Sequence, residues 1–225
     1  MSTRQFGERV QRREDPRLLT GNGRYLDDLG RGALQAAFVR SPHAHARIVD
    51  IDIDDAWEVE GVEAIYTWDD LTGRVAEPLP VLIPHPALTH ARTGYCLAKD
   101  EVNHVGEAVV MVIARDRYLA EDAAGRIRVT YESLPVVVGI EAARAGAALV
   151  HDDVPGNIAA HLLQEVGDVT AAMAAAPHTL TLDLEIERSA CMPMEGKGVY
   201  ARWDTDDRSL RLYSSTQTST GVRAA

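Results

Sequence analysis

The clearest pattern along the chain is a two-residue alternation from Arg47 to Asp54. Val49, Ile51 and Ile53 fall on one side, Asp50, Asp52 and Asp54 on the other. That spacing predicts a half-buried strand with a wet aspartate face. Before it, Ala33–Arg40, with Leu34, Ala36 and Phe38, predicts an earlier strand. After it, Asp54 or Asp55 can cap a short helix and Gly61 can end it, and Val62–Thr67 reads as another strand. Ala108–Ala114 is a continuous apolar run suited to a strand buried on both faces. Asp116 then stands as the N-cap of a helix over Arg117–Ala124, with Gly125 as its stop. Ile127, Val129 and Tyr131 alternate with Arg128, Thr130 and Glu132 as a half-exposed strand. Strand, helix and strand with short links predict at least one parallel or crossover pairing.

Between these segments the pattern breaks. Residues 1–17 form a polar arm ending in Asp15-Pro16, and Gly21-Asn22-Gly23 predicts a turn. Residues 72–94 hold four prolines and no sustained period, so a long irregular loop is expected there. Ala142–Ala148 is a short alanine-rich segment and His151–Gly156 a connection. A domain boundary is placed between about 135 and 165. From His178 the pattern changes: Leu180, Leu182, Leu184 and Ile186 alternate, then Gly196–Trp203 and Leu210–Tyr213 follow around an Asp-rich turn. This predicts an antiparallel β meander.

Composition narrows the function classes. The chain has 225 residues, 46% hydrophobic and 25% charged, which fits a globular protein and not a disordered one. Its 23 Lys and Arg against 34 Asp and Glu give a formal net charge of -11, which argues against nucleic acid as a partner. Arg12-Arg13 is the best candidate for a local basic patch. The apolar run Ala108–Ala114 is far short of the ~20 residues a membrane span needs. Met1–Arg13 has no apolar core of a secretory signal, so a soluble, cytoplasmic chain is expected. Two cysteines, Cys96 and Cys191, are too few for a four-cysteine iron–sulfur cluster.

The chemistry-bearing motifs are few. His43-Ala44-His45 puts two imidazoles on one side of an expected strand, but no third metal ligand can be assigned, and imidazoles also serve packing. Asp50, Asp52 and Asp54 resemble the start of a calcium loop, which then needs Gly and Glu where Asp55 and Gly61 stand. Gly21-Asn22-Gly23 and Gly196-Lys197-Gly198 lack the third glycine of a dinucleotide cradle. Glu195 and Asp183 cannot be claimed as a carboxylate pair from spacing. In Ser214–Thr220, Thr218 or Ser219 can cap a helix, or Gln217 can serve as a neutral amide donor in a cofactor site.

Several motifs in order carry a resemblance. Arg13–Gly21 and Gly23–Asp28 resemble the opening of the large subunit of molybdenum hydroxylases, the xanthine dehydrogenase, aldehyde oxidase and aerobic carbon monoxide dehydrogenase family. Ser41–Ile48, Val105–Val109, Ala120–Ala124 and Val129–Val136 resemble the signatures of that family's α/β-hammerhead domain. Pro193-Met194-Glu195 and Ser215-Thr216-Gln217 resemble the start of its molybdopterin-binding domain. The implied fold is α+β: an α/β-hammerhead domain followed by the beginning of a molybdopterin-binding domain. The expected division is a polar arm at 1–17, the hammerhead at 18–140, a linker at 141–165, and a truncated start of the cofactor domain at 166–225.

The resemblance makes the histidine pair part of a structural strand and gives Gln217 a role. It implies that Gln217 lies beside the molybdenum–pterin cofactor and donates a hydrogen bond to an oxygen ligand of the metal. Family large subunits are several times longer, and their catalytic glutamate lies downstream of the matched motif, whereas here eight residues follow Gln217. No catalytic residue and no metal ligand is therefore assigned within this chain, and no cofactor is expected on it in isolation. The implied function is the N-terminal portion of a large molybdenum subunit, inactive alone. The complete enzyme would oxidise an aldehyde, an N-heteroaromatic compound or carbon monoxide, with water as the oxygen source. Expected partners are the remainder of the large subunit and the iron–sulfur and FAD subunits of the same enzyme. The alternatives are a non-catalytic hammerhead module for docking or assembly, and a truncated gene product.

Overall fold

The computed structural model describes residues 7, 9, 11–75, 77–81, 83–187 and 189–224, the last by its backbone. Part of the expected polar arm, residues 1–6, 8 and 10, lies outside the described residues. In chain order the elements are α1 (Asp15–Leu19), α2 (Leu26–Leu29), β1 (Gln35–Arg40), β2 (Ala46–Asp52), α3 (Asp54–Trp57), β3 (Val62–Tyr66), α4 (Trp68–Leu71), β4 (Glu101–Val102), β5 (Ala108–Ala114), α5 (Arg117–Ala124), β6 (Arg128–Ser133), α6 (Ile140–Ala145), a 3-10 turn (Pro155–Asn157), α7 (Val169–Ala175), β7 (Val199–Asp204), β8 (Ser209–Ser214) and α8 (Ser219–Ala224). They fall into two compact units, one made of residues 32–187 and the other of residues 1–31 with 188–224.

The larger unit holds two three-stranded sheets, ordered β1-β5-β3 and β4-β2-β6. The apolar run supplies the central strand β5, where Val109, Val110 and Val112 are fully buried. Each fully buried valine contributes on the order of 1.5–3 kcal/mol relative to exposure. One core cluster joins these valines to Ala46, Ala56, Val59, Ile65, Val102, Ala123 and Ile127. The Asp116 carboxylate accepts the Leu119 amide and starts α5, as the pattern predicted. The expected parallel crossover is absent among the described residues. β5 and β6 enter different sheets, and every named strand pairing is antiparallel. α5 links one sheet to the other rather than returning the chain to the same one.

Two more details differ from the pattern. In β2 a register shift between Ile48 and Asp50 inserts a bulge, so Ile48 and Ile51 face the core while Val49 is exposed. An extra residue flips the alternation, which plain period-two counting misses. Leu34, just before β1, and Ala36 and Phe38 within it are exposed, and Val39 packs inward. The helix after Asp54 ends at Trp57 rather than running to Gly61. Gly61 instead turns the chain into β3 at φ +96, where an added Cβ would sit 2.8 Å from the Leu119 side chain.

In the smaller unit, β7 and β8 form an antiparallel hairpin. Its turn is knotted by Asp204, whose Oδ1 accepts the amides of Asp206 and Asp207. Arg211 bridges Asp204 and Asp207 at 3.1 and 3.3 Å. The meander expected from 178 onward is therefore only half present. Residues 178–187 keep their alternation but join no strand, because no ladder partner reaches them among the described residues.

Candidate functional site

The stretch that carries Gln217 is built by the hairpin. β8 ends at Ser214, and the Ser215 hydroxyl then accepts the Gly198 amide at 2.8 Å and donates to the Gly196 carbonyl at 3.1 Å. The Ser215 amide returns to the Gly198 carbonyl at 3.2 Å. One residue thus ties the segment entering β7 to the segment leaving β8. Thr216 Oγ1 accepts the Thr218 amide at 3.1 Å, and the Thr218 carbonyl accepts the Val222 amide at 3.0 Å as α8 begins. Gln217 sits in the bend between these fixed points, exposed, with its carboxamide unpaired among the described residues.

The segment before β7 is anchored from the other end of the sequence. Glu195 Oε1 accepts the Leu26 amide at 2.8 Å, which satisfies an orphan donor at the start of α2. Asp28 accepts the Tyr25 amide in the same turn. Leu26 then packs over Gly198, where a Cβ would lie 3.1 Å from its Cδ1. Tyr200 covers Gly30 and stacks on Tyr213, with ring centroids 5.6 Å apart. The sequence offers Ser215 as a motif letter, and Glu195 as a motif letter and as one half of an unassignable carboxylate pair with Asp183. The signal for Ser215 was a hydroxyl just past a strand, facing a Gly-x-Gly. Glu195 meets a partner 169 residues away, which local spacing could not show.

The histidine pair is not on a strand. His43 and His45 lie in the irregular turn before β2. The His43 ring lies 4.8 Å from that of Tyr131, and His45 Nδ1 is 2.7 Å from the Pro135 carbonyl. Proline at 42 and the Ser41 hydroxyl, which binds the His43 amide and carbonyl, hold this turn out of the ladder. Among the described residues no three His, Cys, Asp or Glu side chains gather as a metal site. Asp52 and Asp55 meet Arg128 at 3.3 and 2.7 Å, so these aspartates work as ion-pair partners. Arg12 pairs with Asp15 at 3.6 Å, and both cysteines are free. Nearby, the Tyr131 hydroxyl is buried without a hydrogen bond among the described residues. Burial pushes its phenol above the ordinary range, and the nearby Ser41 hydroxyl offsets part of that rise.

Comparison with known proteins matches this arrangement to one family. Residues 20–135 match the aldehyde oxidase and xanthine dehydrogenase a/b hammerhead domain, and residues 150–225 match the molybdopterin cofactor-binding domain. The nicotine 6-hydroxylase large subunit of Paenarthrobacter nicotinovorans is 38% identical over 94% of this chain and 26% of its own length. The carbon monoxide dehydrogenase large chain of Hydrogenophaga pseudoflava is 33% identical, over 94% of this chain and 27% of its own length. Quinoline 2-oxidoreductase from Pseudomonas putida 86 superposes with a TM-score of 0.80 at 36% identity, covering 92% of this chain and 26% of that one. The chain spans about a quarter of the length of the curated relatives it matches. It belongs to the aldehyde oxidase and xanthine dehydrogenase family of molybdenum hydroxylases, and carries that family's α/β-hammerhead domain and the start of its molybdopterin-binding domain.

Proposed function

We propose that this chain is the N-terminal portion of a large molybdenum subunit and that it helps to hold a molybdenum–pterin cofactor completed by the remainder of that subunit. The observation that supports this is the order of the two domain matches, in a chain whose relatives are large subunits of such enzymes. The finer reading follows the sequence resemblance. The complete enzyme oxidises an aldehyde, an N-heteroaromatic compound or carbon monoxide with oxygen from water, and passes electrons to iron–sulfur and FAD subunits. No helix is long and apolar enough to cross a membrane among the described residues, and a cytoplasmic location is part of the proposal.

The bound group supplies two-electron redox chemistry at its metal. What this chain contributes is Gln217. Its exposed, unpaired carboxamide fits a neutral donor, because Nε2 can donate to an anionic oxygen without delivering a proton. Ser215 and Thr216 fix the backbone on one side of it and α8 on the other, so little ordering remains to be done when a ligand arrives. The reading is tested by co-producing the chain with the remaining three quarters of the nicotine 6-hydroxylase large subunit and its companion subunits. Molybdenum content of the purified complex and oxidation of nicotine, quinoline, xanthine and carbon monoxide are then measured. About one molybdenum per complex with turnover of one substrate is expected. A complex that forms without molybdenum would overturn it.

One observation favours a second reading, a hammerhead module for docking. β1 turns Ala36 and Phe38 outward beside α5, and an open cleft of about 460 Å³ there is lined by Phe38, Arg40, Arg117 and Glu121. A stable complex that never takes up metal would support this reading instead.

A further inference from the structure

The β7–β8 hairpin has two unlike faces. Tyr200, Tyr213, Arg202 and Arg211 lie on one, where Tyr200 meets α2 at Gly30. Val199, Ala201, Trp203, Leu210 and Leu212 lie on the other. That second face carries no charge, yet Val199 is 63% exposed, Trp203 59%, Leu210 61% and Leu212 49%. A contiguous apolar face of this kind marks an interaction surface, and a lone two-stranded hairpin is marginal in water.

We infer that the face formed by Val199, Ala201, Trp203, Leu210 and Leu212 is the surface on which the downstream part of a large subunit's cofactor-binding domain packs. This rests on the function proposed above. Three observations choose that occupant. The matched relatives extend to about four times the length of this chain, and the cofactor-domain match begins at residue 150, so the hairpin lies within that domain. α2 already meets the tyrosine face at Tyr200, while the apolar face has no packing partner among the described residues. The open face is uncharged throughout, which suits the apolar side of another sheet or helix layer and not an acidic or basic partner.

Trp203 reports on the surface directly. The full chain is mixed with the remaining three quarters of the nicotine 6-hydroxylase large subunit as probe. Acrylamide quenching of Trp203 is obtained as the difference between the chain and its Trp203→Phe variant. Association with loss of Trp203 quenching is the expected result. The Leu210→Asp, Leu212→Asp double variant should then bind about 100-fold more weakly, the scale for losing central apolar anchors. Val49→Asp, at the exposed side chain of β2, should bind as wild type, and circular dichroism of each variant alone checks that it folds. Association with Trp203 still open to quencher, or with the double variant binding normally, overturns this surface while leaving the proposed function standing. No association overturns both. Concentration-dependent shielding of Trp203 in the chain alone would assign the face to a second copy and overturn the proposal.

Discussion

Glu195 and Leu26 are 169 residues apart in sequence, yet the glutamate carboxylate accepts the Leu26 amide at 2.8 Å. The bond ties the turn that opens α2 to the segment that enters β7. A part-buried amide that loses a charged acceptor costs about 1–3 kcal/mol. Glu195→Ala should therefore speed hydrogen exchange at Leu26, about tenfold for each 1.4 kcal/mol lost. Glu195→Gln keeps a carbonyl acceptor and should lose less. Equal exchange in all three proteins would show that the bond does not hold α2.

Gly61 turns into β3 at a φ that side chains rarely adopt, with Leu119 close against it. The far end of Leu119 can move, so backbone strain is the larger cost. Gly61→Ala should lower unfolding free energy by about 1–2 kcal/mol in urea titration. Gly106→Ala shares the positive φ but meets open space, so it isolates the strain from the contact.

Tyr131 holds its proton more tightly folded than unfolded, because burial raises its phenol. Its contribution to stability is therefore constant below the ordinary value of about 10 and is lost as pH rises through the raised folded value. Urea midpoints at about pH 8 and about pH 11 should differ more for wild type than for Tyr131→Phe, on either side of that ordinary value. At the lower pH the variant should be neutral or more stable by up to about 1 kcal/mol, since an unpaired hydroxyl is removed.

Gln217→Glu fills the same volume but replaces the amide donor with an acceptor. In the co-produced complex, turnover per bound molybdenum should fall about 10²-fold, the scale for losing one oriented donor. Thermal unfolding of the chain alone should be unchanged, because the side chain is exposed. Turnover within a few-fold of wild type would remove Gln217 from the site.

Much of the larger unit was legible because its signals are local. The β5 run, the Asp116 cap and the alternation of β6 each report a burial pattern within a few residues. The sheet assignment was not legible, because strand–helix–strand spacing does not say whether the second strand returns to the first sheet. Val49 departs from the pattern for a different reason, since one inserted residue inverts a face without leaving a compositional mark. Leu180, Leu182, Leu184 and Ile186 have strand periodicity and no strand, because a ladder needs a second backbone and none reaches them among the described residues. At the candidate site, the motif letters located Gln217, but the ties through Ser215 and Glu195 exist only after folding.

The Ser215 tie also changes what the hairpin is mechanically. Asp204 locks its turn end and Ser215 locks its open end, so neither strand can slide or splay without breaking a side-chain bond. A ribbon clamped at both ends moves as one stiff piece. A ligand that pulls on Gln217 would therefore pull on Gly198 and, through Glu195 and Leu26, on the start of α2. The N-terminal Tyr25–Leu29 segment would then act as a far-end gauge of events at the bend, readable by exchange at the Leu26 amide.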